Sequence, residues 1–262
     1  MNIVICIKQV PDTTEVKINP ETGTLMREGV PSIINPFDMY AIEEGLRLKG
    51  KLGGKVTVIT MGPPQAKEAL KEAISYGVDE GILISDKAFA GSDTLATSYT
   101  LSHAIRKIED FDLIICGKQA IDGDTAQVGP GIAEWLDIPF IAFVKKIEEA
   151  TKEYLRLERM MEDGYDIIEL PLPALITVVK EINEPRMPSL RGKMRASKYE
   201  PIVWTSEFLN VHPDRVGLKG SPTQVFKVFS PKLRTKGEII EGDGVDEKVE
   251  KLVSKLKEAR IL

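Results

Sequence analysis

One pattern recurs four times within the first 136 residues: an apolar, β-branched run, a break rich in glycine or polar residues, and a segment with helical periodicity. The runs are residues 2–8 (NIVICIK), Lys55–Thr60, Gly81–Ser85 and Asp112–Cys116. Runs without polar alternation suit strands buried on both faces. Strands that alternate with helices form parallel sheets joined by right-handed crossovers. The pattern predicts an α/β fold with an open, mostly parallel sheet covered by helices.

The helix signals support this order. Asn35 caps a helix that runs to about Lys49, with Pro36 at the first helical position and Asp38 in the first turn. A second helix starts at Pro63 and is ended after Tyr76 by Gly77. A third opens at Gly91-Ser92-Asp93-Thr94 and reaches about Ile108. Past Leu136 the grammar changes: 140–148, 153–161, 165–170 and 174–179 read as strands of an antiparallel addition, with Glu162-Asp163-Gly164 turning the middle hairpin. Residues 15–26 read as an exposed hairpin. From Glu184 to Pro201 the chain reads as an irregular basic loop, with Arg186, Arg191, Lys193, Arg195 and Lys198 around Met187, Leu190 and Met194. Beyond it, 224–229 reads as a lone strand, and 246–260 as a helix with Val249, Leu252, Val253 and Leu256 on one face.

At 262 residues and 42% hydrophobic content, the chain is long enough to bury a sizeable core. A net charge of −5 argues against a nucleic-acid surface, which needs a basic face. No apolar run approaches bilayer length, and MNIVICIKQV places its lysine after the apolar residues, unlike a secretory leader. A cytoplasmic protein that does not span a membrane is expected. Cys6 and Cys116 are the only cysteines and read as small buried side chains, not as a disulfide frame. With no CxxC pair and no histidine cluster, neither a zinc nor an iron–sulfur site is expected.

In a parallel sheet, ligands bind beyond the carboxyl ends of the strands. Cys6, Met61 and Cys116 fall at such ends, and the run after Cys116 is a polar, glycine-punctuated loop that leads into a helix. Gly117 and Gly123 permit close backbone approach, Thr125 and Gln127 offer hydrogen bonds, and the helix adds its partial positive N-terminus. Asp122 and Asp124 are unsuited to phosphate on charge grounds and read as helix caps or loop-shaping residues. Asp93, Thr94, Thr97 and Ser98 open a helix at the same edge and read either as a polar helix start with no ligand or as contacts to a flavin or pyridine nucleotide. Lys8 and Gln9 read as solvated residues at a strand end. On loop chemistry alone, a plain connection and a ligand site stand equally open. Neither a GxGxxG nor a Walker-type loop is present.

Five segments together resemble the beta subunit of electron transfer flavoprotein: IVICIKQVPDT at 3–13, NPFDMYAIEEGLRLK at 35–49, GKQAIDGDTAQVGP at 117–130, EDGYDIIELPLPALITV at 162–178 and NEPRMPSL at 183–190. The match runs from Met1 to about Pro201, with a weaker tail. The resemblance implies an alpha–beta heterodimer whose alpha chain carries the main electron-transferring FAD. This chain would hold a second nucleotide, which is AMP in the family or, in the electron-bifurcating branch, a second FAD. The implied pocket comprises Cys6, Asn35, Pro36, Phe37, Asp38, Met61 and the loop Gly117-Lys118-Gln119-Ala120-Ile121-Asp122-Gly123-Asp124-Thr125-Ala126-Gln127-Val128.

The respiratory type resembles three consecutive acids followed by a CNQTG-like sequence, whereas here Gly123 stands between Asp122 and Asp124. The glycine gives room and removes a negative charge beside a diphosphate, which favours FAD over AMP; the resemblance to the bifurcating type then implies NADH as electron donor. A mild departure is Asp166, where the family usually has Glu or Gln. The resemblance further implies a nucleotide-binding domain at 1–183 and a recognition loop at 184–201. In that loop Leu190, Arg191 and Met194 would dock an acyl-CoA dehydrogenase or quinone-reductase type partner. Residues 202–262 would form an arm on the alpha subunit. A non-redox adenine-nucleotide-binding module and a structural subunit holding AMP remain alternatives.

Overall fold

The first apolar run becomes β1 (Asn2–Cys6), whose alternate residues feed two separate cores: Ile3 and Ile5 on one face of the sheet, Val4 and Cys6 on the other. The computed structural model describes residues 1–12, 32–108, 110–226 and 237–262. After β1 come β2 (Gln9–Pro11) and β3 (Ser32–Ile34), which pair antiparallel as a small separate sheet. The hairpin expected at 15–26 lies outside the described residues. The repeating units follow as α1 (Pro36–Leu52), β4 (Lys55–Met61), α2 (Lys67–Tyr76), β5 (Glu80–Ile84), α3 (Thr94–Ile108), β6 (Leu113–Gly117) and α4 (Val128–Leu136). A short 3-10 turn at Pro64–Ala66 precedes α2, and Gly77 ends that helix with φ of 117°, a left-handed conformation that glycine adopts without cost.

The remaining elements are β7 (Phe140–Ala150), β8 (Tyr154–Met161), β9 (Gly164–Pro171), β10 (Ala174–Val178), α5 (Leu190–Ala196), β11 (Ile202–Trp204), α6 (Ser206–Leu209) and α7 (Val245–Glu258). The nine-stranded sheet has the order β11-β5-β4-β1-β6-β10-β7-β8-β9. Every neighbouring pair from β11 to β7 is parallel, and only β7–β8 and β8–β9 are antiparallel. The fold is therefore α/β, as the alternation predicts.

Helices α1 and α2 cover one face through Ala41, Ile42, Leu46, Leu70 and Ile74. Helices α3 and α4 cover the other through Ala104, Ile105, Ile132 and Ala133. Burying each large aliphatic side chain here contributes about 1.5–3 kcal/mol.

Three expectations are corrected. Residues 174–178 are not part of the antiparallel addition; β10 lies inside the parallel sheet between β6 and β7. Its physical reason is full burial of ALITV, which only a central strand provides. Residues 190–196 form a helix, capped by Ser189, whose hydroxyl accepts from the Gly192 N–H at 3.0 Å. β11 adds an edge strand against β5, and residues 202–226 belong with the first compact unit, Met1–Phe226. Residues 224–226 form no strand, and 227–229 lie outside the described residues. In the second unit, Lys227–Leu262, α7 occupies the expected 246–260 stretch and buries none of its residues. Among the described residues, no helix is long and apolar enough to cross a membrane.

Candidate functional site

The strand order runs outward from β1 to β4 and β5, then returns to β6 on the other side of β1. This reversal is a topological switch point, where the helices after adjacent strands diverge and open a crevice. Cys6 stands in register with Cys116 across it, and Met61 ends β4 at the same edge. Both thiols are free and buried. The contact with Cys6, together with burial, pushes the Cys116 thiol well up, so Cys116 is not a poised nucleophile.

Asn35 joins two sides of the crevice. It occupies the cap position of α1, yet its side chain makes no capping bond. Instead Nδ2 donates to Asp38 Oδ1 at 3.0 Å and to the Gln119 carbonyl at 2.8 Å, while Oδ1 accepts from the Ile121 N–H at 3.1 Å. The expected cap is thus a brace for the 119–121 backbone, and its amide is fully engaged with protein.

Asp38, 5% exposed, accepts from the Lys8 N–H at 2.7 Å. Burial raises its carboxyl to about 7, against hydrogen bonds from Asn35, Lys8 and Gly117 that favour the charged form. A Cβ on Gly117 would lie 2.3 Å from Asp38 Oδ1 and 2.7 Å from the Phe37 carbonyl carbon, so glycine is needed for α1 to start this close to β6. Pro36 is exposed and Phe37 half-buried beside it.

The loop itself is built on a turn in which the Ala120 carbonyl accepts from the Gly123 and Asp124 N–H groups at 3.3 and 2.8 Å. Those two donors are engaged within the loop. Asp124 and Ala126 then take φ of 54° and 55°, left-handed conformations costly for residues with a side chain, on either side of Thr125. The N–H groups of Thr125, Ala126 and Gln127 have no hydrogen-bond partner among the described residues. They lead directly into the unpaired N–H groups of the first turn of α4. Alternating backbone hands that free successive N–H groups form a concave anion nest. A Cβ at Gly123 would meet nothing within 4 Å, so that position has open space beside it.

Several predicted residues are placed differently. Asp122 and Asp124 do not cap α4: Asp122 pairs with Lys8 Nζ at 2.7 and 2.8 Å, and Asp124 accepts from Gln119 Nε2. Lys118 directs its ammonium over the Phe143 ring, 5.4 Å from the centroid. Thr94 Oγ1 donates to Gln127 Oε1 at 2.9 Å and so ties α3 to the loop.

Asp93 caps α3 through the Leu95 and Ala96 N–H groups and also accepts from the N–H and hydroxyl of Thr223. Burial acts to raise its carboxyl, but these bonds together hold it below the usual range. Its acceptor capacity is met by protein. Thr97 and Met61 lie half-buried at the same edge, and Val128 opens α4. Lys8, read in the sequence as a solvated residue at a strand end, is exposed and in addition pairs with Asp122 of this loop; its place directly after β1 at the carboxyl edge was the available signal.

The electron transfer flavoprotein domain model matches residues 22–208. The chain belongs to the electron transfer flavoprotein family. It is 53% identical over the full length of both chains to electron transfer flavoprotein subunit beta of Thermoanaerobacterium thermosaccharolyticum. Across the full length of both chains it is 51% identical to the caffeyl-CoA reductase-Etf complex subunit CarD of Acetobacterium woodii. It is also 52% identical to protein FixA of Azotobacter vinelandii, over 95% of this chain and 91% of that one. As a beta-subunit chain of the electron transfer flavoprotein family, it takes part in electron transfer.

This electron transfer flavoprotein chain presents its basic segment on a rigid base. Arg186 grips the Glu43 carboxylate with Nε and a second guanidinium nitrogen at 2.7 and 3.0 Å. Asn183 Nδ2 donates to the Tyr40 carbonyl and to Glu44, both at 3.0 Å. A Cβ on Gly192 would fall 2.0 Å from the Ser75 carbonyl oxygen, which lets α5 lie directly on α2. Arg195 donates to the Val78 and Asp79 carbonyls at 2.8 and 2.5 Å. Held this way, Met187, Leu190 and Met194 stand 86%, 78% and 59% exposed, with Arg191 beside them in solvent.

Proposed function

We propose that this chain is the beta subunit of a heterodimer with an alpha subunit, and that its crevice holds the adenylate end of a second FAD. Electrons then pass between NADH or a dehydrogenase and partner redox enzymes, by flavin-based bifurcation. The observation that carries the nucleotide reading is the run of unpartnered N–H groups at Thr125, Ala126 and Gln127 leading into α4, formed at two left-handed non-glycine residues. Strain of this kind persists where the surrounding structure imposes it, and it clusters at ligand clamps. The residues fit the group: the nest takes a phosphate, Gly123 leaves space beside it for a second, and Asn35 braces the 119–121 backbone that leads into both.

FAD supplies the redox chemistry when bound, accepting electrons in pairs and passing them on singly. This chain's own residues bind and orient. Cys6, Met61 and Phe37 line the approach, Thr125 offers its hydroxyl, and Thr94 holds Gln127 in place. No nucleophile, acid or base is required of the protein.

Residues 1–183 act as the nucleotide-binding domain in this reading. The segment around Leu190, Arg191 and Met194 docks an acyl-CoA dehydrogenase or quinone-reductase type partner in the cytoplasm, which the exposure of three large apolar side chains among cations supports. In α7, Val249 and Leu252 are 51% and 45% exposed, which suits an arm that buries its apolar side on the alpha subunit. Acid release from the purified heterodimer tests the cofactor assignment: two FAD per dimer are expected, and one FAD with one AMP would refute it.

A further inference from the structure

Lys8 is clamped through both of its backbone groups. Its N–H donates to Asp38 Oδ2 at 2.7 Å, and its carbonyl accepts from the Asn35 N–H at 2.8 Å. The backbone at the crevice edge is therefore fixed, and only the four-carbon stem is free to move. That stem carries the ammonium to both oxygens of Asp122, at 2.7 and 2.8 Å, with the lysine side chain 48% and the aspartate 27% exposed.

Two carboxylates border the anion nest, and they are held differently. Asp124 is bonded by the neutral amide of Gln119, which leaves its charge in place. Asp122 is cancelled by Lys8. The other nearby ammonium, on Lys118, lies over Phe143. Asp122 is three residues from Thr125, at most about 10 Å of chain, so an uncancelled charge there acts on a phosphate in the nest within about one Debye length.

We propose that Lys8 is the specificity-determining cation of this crevice: by cancelling Asp122 while bridging it to a phosphate oxygen, it admits a second phosphate beside the 122–124 turn and selects diphosphate-bearing nucleotides over monophosphates. The inference rests on the nucleotide reading above. A first phosphate is satisfied by main-chain N–H groups alone. A second one has Asp122 beside it and needs Lys8. An ammonium with three donors on a flexible stem suits the bridge, because it can follow the ligand without moving the clamped backbone.

The test is calorimetric titration of the nucleotide-stripped heterodimer with AMP and with ADP. Lys8→Met is expected to weaken ADP about tenfold and AMP less than about threefold. Lys8→Arg keeps the preference, and adding Asp122→Asn to Lys8→Met returns ADP affinity toward wild type. Asp122→Asn alone, which leaves Lys8 uncancelled, tightens ADP relative to AMP and serves if Lys8→Met does not fold. Equal losses for the two nucleotides, or none, overturn the role of Lys8 and leave the site reading standing. A wild-type heterodimer that binds neither nucleotide overturns both.

Discussion

The Asn35 side-chain oxygen accepts a hydrogen bond from the Ile121 N–H at 3.1 Å, across 86 positions of sequence. Together with the bond to the Gln119 carbonyl, it makes the start of α1 and the loop after β6 one unit. Asn35→Ala breaks three side-chain bonds and leaves buried partners unpaired. A loss of about 2–4 kcal/mol in urea unfolding is expected, together with reduced nucleotide in the purified protein. An unchanged midpoint would remove the brace from the account.

Asp38 gives the protein a pH dependence of defined sign. Its carboxyl lies near 7 when folded, raised by burial above the ordinary 3.8. The folded state therefore holds the extra proton between those values. This contribution to stability is fully present below about pH 4 and is lost as pH rises to about 7, on the order of 4 kcal/mol at most. Asp38→Asn should be less stable at low pH, because it loses an acceptor, and should lack this slope. Denaturant midpoints between pH 4 and 8 decide it.

Two glycines of the loop separate packing from ligand. Gly117→Ala forces a Cβ to 2.3 Å from Asp38 Oδ1, and overpacking against backbone should cost about 1–3 kcal/mol. Gly123→Asp meets nothing within 4 Å and should move stability by less than about 0.5 kcal/mol. On the proposed reading, the same change places a carboxylate beside the diphosphate and shifts the released ligand from FAD toward AMP. Chromatography of the acid extract reports this directly.

Leu190 is 78% exposed, so Leu190→Ala should leave unfolding and flavin content unchanged. As an interface anchor its truncation should slow electron delivery to the dehydrogenase-type partner about fivefold or more. Gly192→Ala tests the base beneath it: a Cβ at 2.0 Å from the Ser75 oxygen should lift α5 from α2, and should impair delivery even with Leu190 intact. Equal transfer rates in all three proteins would exclude this segment from docking.

The parallel strands and their helices were legible because both faces of each strand are buried, which erases polar alternation from Ile3 to Ile5 and from Leu113 to Ile115. The location of the site followed from the strand ends. The partner of each polar side chain did not. Asn35-Pro36 carries a capping signal, yet the nearby 119–121 backbone offers Asn35 better partners than its own helix does. Lys8 looks solvated because its carboxylate, on Asp122, lies 114 positions away in sequence. The position of residues 174–178 was misread because a strand's neighbours depend on which edge is open when it docks, and proximity to the 140–170 hairpin in sequence carries no such information. The helix at 190–196 was hidden by its cations, and its seat depends on Gly192 meeting Ser75.

The late arrival of β10 governs the order in which the molecule is completed. Leu113 of β6 is in register with Ala174, a residue that leaves the ribosome only after the whole β7–β9 hairpin region has been made. During that interval β6, the entirely buried LIICG run, has β1 on one side and an unpaired edge of backbone donors and acceptors on the other. A flat apolar edge of this kind pairs readily with another nascent chain. From the synthesis of Gly117 until that of Val178, this edge lacks the strand that covers it in the finished fold.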